Sequence, residues 1–374
     1  MTLYRSRTDD SFVGRWWWTV DRWTLLCIGT LIGFGYVLVL ASSPAVAHRI
    51  GDPRDMLIVK QIGFLAISGA IVIGVSMMSL KGIRWLALIG TFIAVVLTAY
   101  TLVHGVEIKG ARRWIALPLL SLQPSEFLKP FFVVVTAGLL VEARRVEKFP
   151  GRMLAVMLYA IIALLLKAQP DIGMLAVVSI VFLTQLFVDG LNFGLVVVAF
   201  VALVVAFIAA FFLMPHVHVR VERFLHPTEK TAYQALTALQ AFGNGGLLGR
   251  GPGEGTVKDI LPDAHADFVF AVAGEEFGLV ICLFILAVFG LIVLRGLLRL
   301  VAETDHFVLL AAGGILITFG LQSFINMASS LELIPTKGMT LPFISYGGSS
   351  AFSVAFQMGM LLALTRRRPS GERR

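Results

Sequence analysis

The residues able to do acid–base or electrostatic chemistry are few and gathered at a handful of points. Glu126 and Lys129 lie three apart in Gln123-Pro-Ser-Glu-Phe-Leu-Lys129-Pro, so on a helix they share a face. The apolar run that follows places the pair at the mouth of a membrane-depth helix, where ionisable groups are costly unless they face protein or a cavity. Two uses fit: a functional pair, or a structural ion pair that fixes helix packing. Gln169-Pro-Asp171-Ile-Gly supplies another carboxylate, for function or for capping the helix it precedes. Asp267, in Leu261-Pro-Asp-Ala-His-Ala-Asp267-Phe, stands where a long loop meets an apolar run. Its neighbours Phe268 and Phe270 make a setting that suits a carboxylate to proton transfer, and an N-cap of the next helix is the alternative. His265 reads as an interfacial or capping histidine before it reads as a base. Glu275 and Glu276 fall two to three turns into that helix and must face the bundle rather than lipid. In Pro335-Thr-Lys-Gly-Met-Thr-Leu-Pro-Phe-Ile-Ser345-Tyr-Gly-Gly-Ser-Ser350, Pro and Gly rule out an ordinary helix. Ser345, Gly347, Gly348 and Ser349 can there present hydroxyls and backbone to a cavity.

Other chemistries find no support. No Ser is placed with a His and an Asp in a triad-like context. Cys27 and Cys282 both lie inside apolar runs, so neither a disulfide framework nor a metal knuckle is encoded.

These residues must be held by a membrane protein. The 374 residues are 57% hydrophobic and 14% charged, and a water-facing surface needs about a quarter to a third charged residues. That excludes a soluble enzyme. The net charge of +8 does not signal nucleic acid, because no basic stripe is interleaved with aromatics and the Arg clusters lie at the ends of apolar spans. The first apolar run is long enough to span and carries no clear cleavage site, so no removable signal peptide is expected.

Apolar runs of the roughly 17 to 25 residues a bilayer requires predict about ten transmembrane helices. They cover residues 24 to 41, 61 to 80, 85 to 103, 127 to 141, 153 to 166, 172 to 188, 191 to 214, 268 to 294, 307 to 328 and 345 to 364. The fold class is therefore an all-α polytopic bundle forming one membrane domain over 1–374, with no internal repeat visible. Arg5, Arg7, Arg15 and Arg22, the pair Lys81 and Arg84, the group Arg144, Arg145, Lys148 and Arg152, then Arg295 and Arg299, mark one side as cytoplasmic. Both termini, 1–23 and 366–374, fall there, with Trp16, Trp17, Trp18 and Trp23 as an interfacial belt. The opposite side carries nearly as many cations: Lys109, Arg112, Arg113, Arg220, Arg223, Arg250 and Lys258. That surplus suggests a task there. The loop 215–267, between spans 7 and 8, is too long for a plain connector. Within it Tyr233 to Phe242 predicts a short amphipathic helix on the membrane, with Ala235, Leu236, Leu239 and Phe242 on one face. The glycine-rich run Gly243 to Gly255 has the backbone freedom to approach an anion, or is simply a flexible loop. It lacks the flanking strand and helix that nucleotide binding needs.

The sequence resembles the SEDS family (shape, elongation, division and sporulation) of bacterial membrane proteins. Four separated motifs carry the resemblance: Gly110-Ala-Arg-Arg-Trp with Gln123-Pro-Ser-Glu-Phe-Leu-Lys; Gln169-Pro-Asp-Ile-Gly; Leu-Pro-Asp-Ala-His-Ala-Asp267-Phe with Gly274-Glu-Glu; and Ile-Ser345-Tyr-Gly-Gly-Ser. It covers essentially the whole chain. The stretch Pro335 to Ser345 and Ala41-Ser-Ser-Pro-Ala-Val-Ala look like the division branch rather than the elongation branch. Two departures are Ala266, where the family usually has Thr, and the longer glycine-rich run.

The resemblance implies a peptidoglycan glycosyltransferase that polymerises lipid II at the division septum of the bacterial inner membrane. It implies a complex with a class B penicillin-binding protein, an FtsI-like transpeptidase, and with other division proteins. Asp267 matches the family's outer-loop aspartate, and Glu126 and Lys129 its motif carboxylate and lysine. On that reading Asp267 is the base for the acceptor hydroxyl, Lys129 and Arg113 stabilise diphosphate, and Glu126 orients Lys129. Gln123, Ser125, Asp171, His265, Lys337, Ser345, Tyr346, Gly347, Gly348 and Ser349 complete the expected substrate-binding set. A divalent cation such as Mg or Mn near Asp267 is another way to supply the positive charge. A lipid II flippase, an elongation-type polymerase and a non-catalytic division scaffold are the competing readings.

Overall fold

The computed structural model describes residues 11–50, 54–108, 111–118, 120–226, 233–335 and 338–367. Lys109, Gly110 and Lys337, named above, lie outside them, as do Arg5, Arg7 and the chain beyond Arg367.

A short helix α1 (Phe12–Thr19) leads into α2 (Arg22–Ile50), α3 (Arg54–Ser76) and α4 (Leu80–His104). Three short strands follow: β1 (Val106–Ile108), β2 (Ala111–Ala116) and β3 (Ser121–Leu122). Then come α5 (Pro124–Arg145), α6 (Gly151–Ala168), α7 (Ile172–Val188), α8 (Phe193–Leu213), α9 (Pro215–Leu225) and α10 (Tyr233–Gly245). A single 3-10 turn (Val257–Asp259) precedes α11 (Val269–Val301), α12 (His306–Ser330) and α13 (Gly348–Leu364).

Each apolar run read from the sequence is a helix. Seven of these helices are long and apolar enough to cross a membrane, while α7 and α13 are shorter apolar helices. α5 has spanning length but carries Glu126, Lys129 and the charged end Glu142, Arg144 and Arg145. The expectation of a purely helical chain misses the antiparallel sheet β1-β2-β3, in which Glu107 pairs with Arg112 and Ile115 with Leu122. Strands of two to six residues carry too little alternation to be read from pattern.

Local sequence sets the helix ends. Ser79 caps α4 through the Gly82 N–H, Asp171 caps α7 through Met174, and Asp305 caps α12 through Phe307 and Val308. α5 begins with Pro124 in its first turn, where a missing N–H costs nothing. α5, α12 and α13 form the centre, with Phe132, Phe307, Phe319 and Met358 fully enclosed. Uncharged polar side chains tie the centre together. Gln185 of α7 donates to the Val133 and Leu310 carbonyls at 2.8 and 3.2 Å and accepts from Thr136 at 2.7 Å, joining α5, α7 and α12. By contrast, α8 buries nothing along its apolar window.

The end of the bundle away from the long loop is fastened by two enclosed carboxylates. Asp189 meets Arg144 at 2.6 Å, Arg152 at 3.1 Å and His306 at 3.2 Å. Asp21, 2% exposed, receives Arg295 at 2.8 Å, Arg299 at 3.1 Å and the Thr24 hydroxyl at 2.8 Å. Burial alone raises the Asp21 pKa, but the hydrogen bonds from Arg295 and Thr24 and the charges of Arg299 and Arg295 outweigh it, leaving the carboxyl below its ordinary value. A depressed folded pKa contributes stability that is present above the unfolded value near 4 and lost as pH falls through the folded one. Asp21→Asn is therefore expected to cost about 2 kcal/mol at neutral pH, the scale of charge-assisted hydrogen bonds. The gap in thermal unfolding between wild type and variant should begin to narrow below about pH 4 and close only as the pH falls through the depressed folded value of Asp21.

α11 is not one straight span. Gly278 has φ 76° and ψ −176°, so the segment carrying Glu275 and Glu276 is offset from the long apolar part. The glycine-rich run crosses this break: Arg250 and Gly251 donate to the Glu275 and Glu276 carbonyls, and Leu279 to Gly246. A Cβ at Gly249 would fall 2.2 Å from the Glu276 carbonyl oxygen, so only glycine permits the crossing. The run is thus neither a flexible loop nor a site for a foreign anion, because the anions it wraps are internal. Glu275 accepts from the Val257 and Thr256 N–H groups at 2.9 and 3.2 Å and from Asn244 at 3.2 Å, and Glu276 accepts from Lys258 at 2.6 Å and Gly253 at 3.0 Å. Glu275→Ala leaves buried donors without acceptors, at about 1–3 kcal/mol each. Hydrogen exchange is expected to show protection lost over residues 244–260 and kept in α12 and α13.

The amphipathic helix is present as α10, and the face it turns to the protein is made of small residues rather than of its leucines. Thr237, Ala238, Ala241 and Gly245 pack inward, while Leu236 and Leu239 are exposed. Close approach to α11 demands small residues: a Cβ at Gly245 would meet the Gly274 carbonyl oxygen at 1.9 Å.

Candidate active site

At the loop end a cavity of about 900 Å³ opens between α3, the sheet, the start of α5 and the segment before α11. Its far wall is the stretch joining α12 to α13. Among the expected residues, Asp267, Glu126, Arg113, Gln123, Tyr346, Gly347, Gly348 and Ser349 line it. Residues far apart in the chain are brought to one concavity.

Asp267 sits in a tight turn, its N–H donating to the Asp263 carbonyl at 3.1 Å. Phe268, not Asp267, occupies the capping position of α11, and no side-chain cap is formed there. Several bonds fix its backbone. Asn326 of α12 donates to the Asp267 carbonyl at 3.0 Å and to the Met339 carbonyl at 2.6 Å. Ser345 donates to the Ala266 carbonyl at 2.6 Å, and the Tyr346 N–H donates to the His265 carbonyl at 2.8 Å. Gly338, at φ 62°, lies against the carboxylate, since a Cβ there would stand 3.4 Å from Oδ2. Ser345 and His265 are therefore neighbours that hold Asp267 from behind, with the His265 ring 5.0 Å from that of Tyr346; neither lines the cavity.

Glu126 and Lys129 divide differently from the expectation. Glu126 lines the cavity, whereas Lys129 is 2% exposed and lies beneath the wall. Lys129 Nζ donates to Glu126 at 2.9 Å and to Gln322 of α12 at 2.7 Å. Lysine thus orients glutamate, the reverse of the expected order, and has no open path to a diphosphate. Ser125 is fully buried and accepts from Gln123 at 3.3 Å, so it supports the wall rather than forming it. Ser349 accepts from the Gln123 N–H and donates to the Ser121 carbonyl, both at 2.9 Å, joining α13 to the sheet.

Arg113 reaches the cavity with its charge already matched. It donates to the Gln169 and Pro170 carbonyls, each at 2.7 Å, and to Asp171 at 3.1 Å. Asp171 is both cap and counter-ion and does not line the cavity. Three other cations counted in the loops are matched in the same way: Arg112 by Glu107, Lys258 by Glu276, and Arg250 by Glu275 at 3.6 Å. Residue counting cannot see such pairing.

Lys60, Trp114, Asp263 and Glu332 are among the lining residues that sequence reasoning does not single out. Lys60 stands just before the apolar run placed at 61 to 80 and reads there as an ordinary flanking charge. Its spacing to Phe64, one helical turn on, was the available signal. No group of three or more His, Cys, Asp or Glu suited to a metal exists among the described residues.

The fold and site together define a multi-pass membrane protein with a carboxylate-bearing cavity at one end of a helical bundle. The model of the FtsW, RodA and SpoVE family, described as cell cycle protein, matches residues 22–369. The chain belongs to this family of bacterial membrane proteins. It is 39% identical to the probable peptidoglycan glycosyltransferase FtsW of Caulobacter vibrioides over 97% of this chain and 94% of the relative. It is 36% identical to the FtsW of Geobacter metallireducens, covering 93% and 95%. Among solved structures, a chain of a peptidoglycan synthase complex that coordinates polymerization and crosslinking superposes with a TM-score of 0.77 at 26% identity, covering 92% and 97%. The rod shape determining protein RodA of Thermus thermophilus gives 0.68 at 26% identity, covering 93% and 97%.

Proposed function

We propose that this protein is a peptidoglycan glycosyltransferase that polymerises lipid II into glycan strands during septal wall synthesis. The observation that carries the proposal is the convergence of Asp267 and Glu126 on one cavity, in a chain whose curated relatives bear that activity in their names. Glycosyl transfer requires a sugar hydroxyl to attack an anomeric carbon while a lipid diphosphate leaves. Asp267 accepts the hydroxyl proton as the new glycosidic bond forms. Glu126, held by Lys129, binds sugar hydroxyls on the facing wall. If a divalent cation takes part, Asp267 is the residue that would hold it, and it would supply positive charge for the departing diphosphate; the described residues contain no group of three or more His, Cys, Asp or Glu for a metal.

The partner is a class B penicillin-binding protein, in keeping with the synthase complex whose chain this one resembles. Both termini lie in the cytoplasm and the cavity faces outward, where the headgroup of lipid II is displayed. Purified protein with its transpeptidase partner, reconstituted in liposomes with labelled lipid II, is expected to yield glycan polymer. Headgroup translocation without polymer would overturn the proposal in favour of a flippase. Depletion in cells distinguishes the branches: long cells without septa for a division enzyme, rounded cells for an elongation enzyme.

A further inference from the structure

The cavity described above needs positive charge for an anionic lipid-linked donor, and the cations first assigned to that task are engaged elsewhere. Arg113 faces Asp171 and two carbonyls, and Lys129 lies under the wall against Glu126 and Gln322. Lys60 differs. It lines the cavity from α3, is partly buried, and makes no hydrogen bond or ion pair among the described residues.

Its placement is fixed by its neighbours. Gln61, fully buried, donates to the Ser345 carbonyl at 3.2 Å and accepts from the Gly347 N–H at 3.3 Å. Phe64 packs on Gly348 so closely that a Cβ there would meet the ring at 3.0 Å. This edge of α3 is therefore clamped to the adjoining turn of the lining, and Lys60 is carried to the cavity with it. An ammonium group is a compact charge with three donors, suited to phosphate oxygens. Leaving one partly desolvated without a partner is costly, and an arriving anion removes that cost.

We infer that Lys60 is the residue that holds the diphosphate of the lipid-linked donor and stabilises the charge that develops on it as the anomeric carbon–oxygen bond breaks. The inference rests on the polymerase reading for its substrate. When that bond breaks the electron pair passes to the diphosphate oxygen, so Lys60 acts more strongly in the transition state than in the ground state.

The test uses the full chain with its transpeptidase partner and the variants Lys60→Met, Lys60→Gln and Lys60→Arg. Lys60→Met and Lys60→Gln are expected to lower kcat/KM for lipid II by about 10²-fold, the scale for removing one donor to a developing oxyanion. Lys60→Arg should recover most of it. Binding of undecaprenyl diphosphate, followed by the fluorescence of Trp114 in the cavity wall, should weaken by about tenfold or more in the neutral variants. Undecaprenol, which lacks the anion, should bind all forms alike, and inorganic pyrophosphate as competitor separates headgroup recognition from lipid recognition. Thermal unfolding checks that each variant is folded, and two neutral replacements guard against one failing to fold. If wild type makes polymer and both neutral variants bind undecaprenyl diphosphate as tightly as it does, Lys60 is only a flanking charge and the inference falls alone. If wild type makes no polymer, the polymerase reading falls, and the binding comparison still decides whether Lys60 recognises the anion.

Discussion

Replacing Asp267 by Asn is expected to lower the polymerisation rate by about 10²–10⁴-fold, the usual contribution of a positioned general base. The amide keeps the size of the side chain and can still hydrogen-bond, but it cannot take the acceptor proton. The turn around it should survive, because that turn is held through backbone atoms: Asn326 on the Asp267 carbonyl, Ser345 on the Ala266 carbonyl and Tyr346 on the His265 carbonyl. Unfolding temperature and partner binding are therefore expected to stay close to wild type while glycan polymer disappears. Full-length polymer from Asp267→Asn would sink the base assignment and leave the carboxylate as a binding group.

The second large effect falls on stability. Lys129→Met removes a buried cation and leaves Glu126 without its counter-ion and the Gln322 side-chain oxygen without its donor. Breaking one side of a buried pair costs about 3–5 kcal/mol, much of it the penalty of an unpaired charge. The apparent unfolding temperature in detergent should fall markedly. Adding Glu126→Gln to Lys129→Met is expected to return part of the stability, because the stranded charge is gone. Activity should not return with it, since the double variant lacks the carboxylate that faces the cavity. If the double variant is as unstable as the single one, the pair is not the source of the effect.

Much of this architecture is legible in the sequence, for a physical reason. Lipid tolerates only helices whose backbone groups are satisfied internally, so long apolar runs are strongly constrained and read directly. The positions of Asp267 and Glu126 were legible because charges near membrane depth are rare in this chain. Their partners were not. Lys258 and Arg250 read as outward cations because Glu275 and Glu276 lie on another element, and only the break at Gly278 brings them together. Gln61, Gln185, Gln322 and Asn326 drew no attention, being uncharged and scattered, yet each joins segments distant in the chain. Lys129 shows the limit of spacing arguments: three residues from Glu126 predicts contact, but not which of the two is exposed. The sheet was hidden because its strands are too short for a pattern to emerge.

The turn at Ser345 to Gly348 has a consequence for biosynthesis. It is gripped by Gln61 from α3 and in turn grips His265 and Ala266, so the wall behind Asp267 is completed by residues the ribosome adds only after α12. During insertion the growing chain can possess nearly every helix, and both carboxylates, without possessing a closed site. A translation product stopped before residue 345 would enter the membrane as a catalytically silent bundle, and wall polymerisation could begin only once the Ser345 to Gly348 turn had been made.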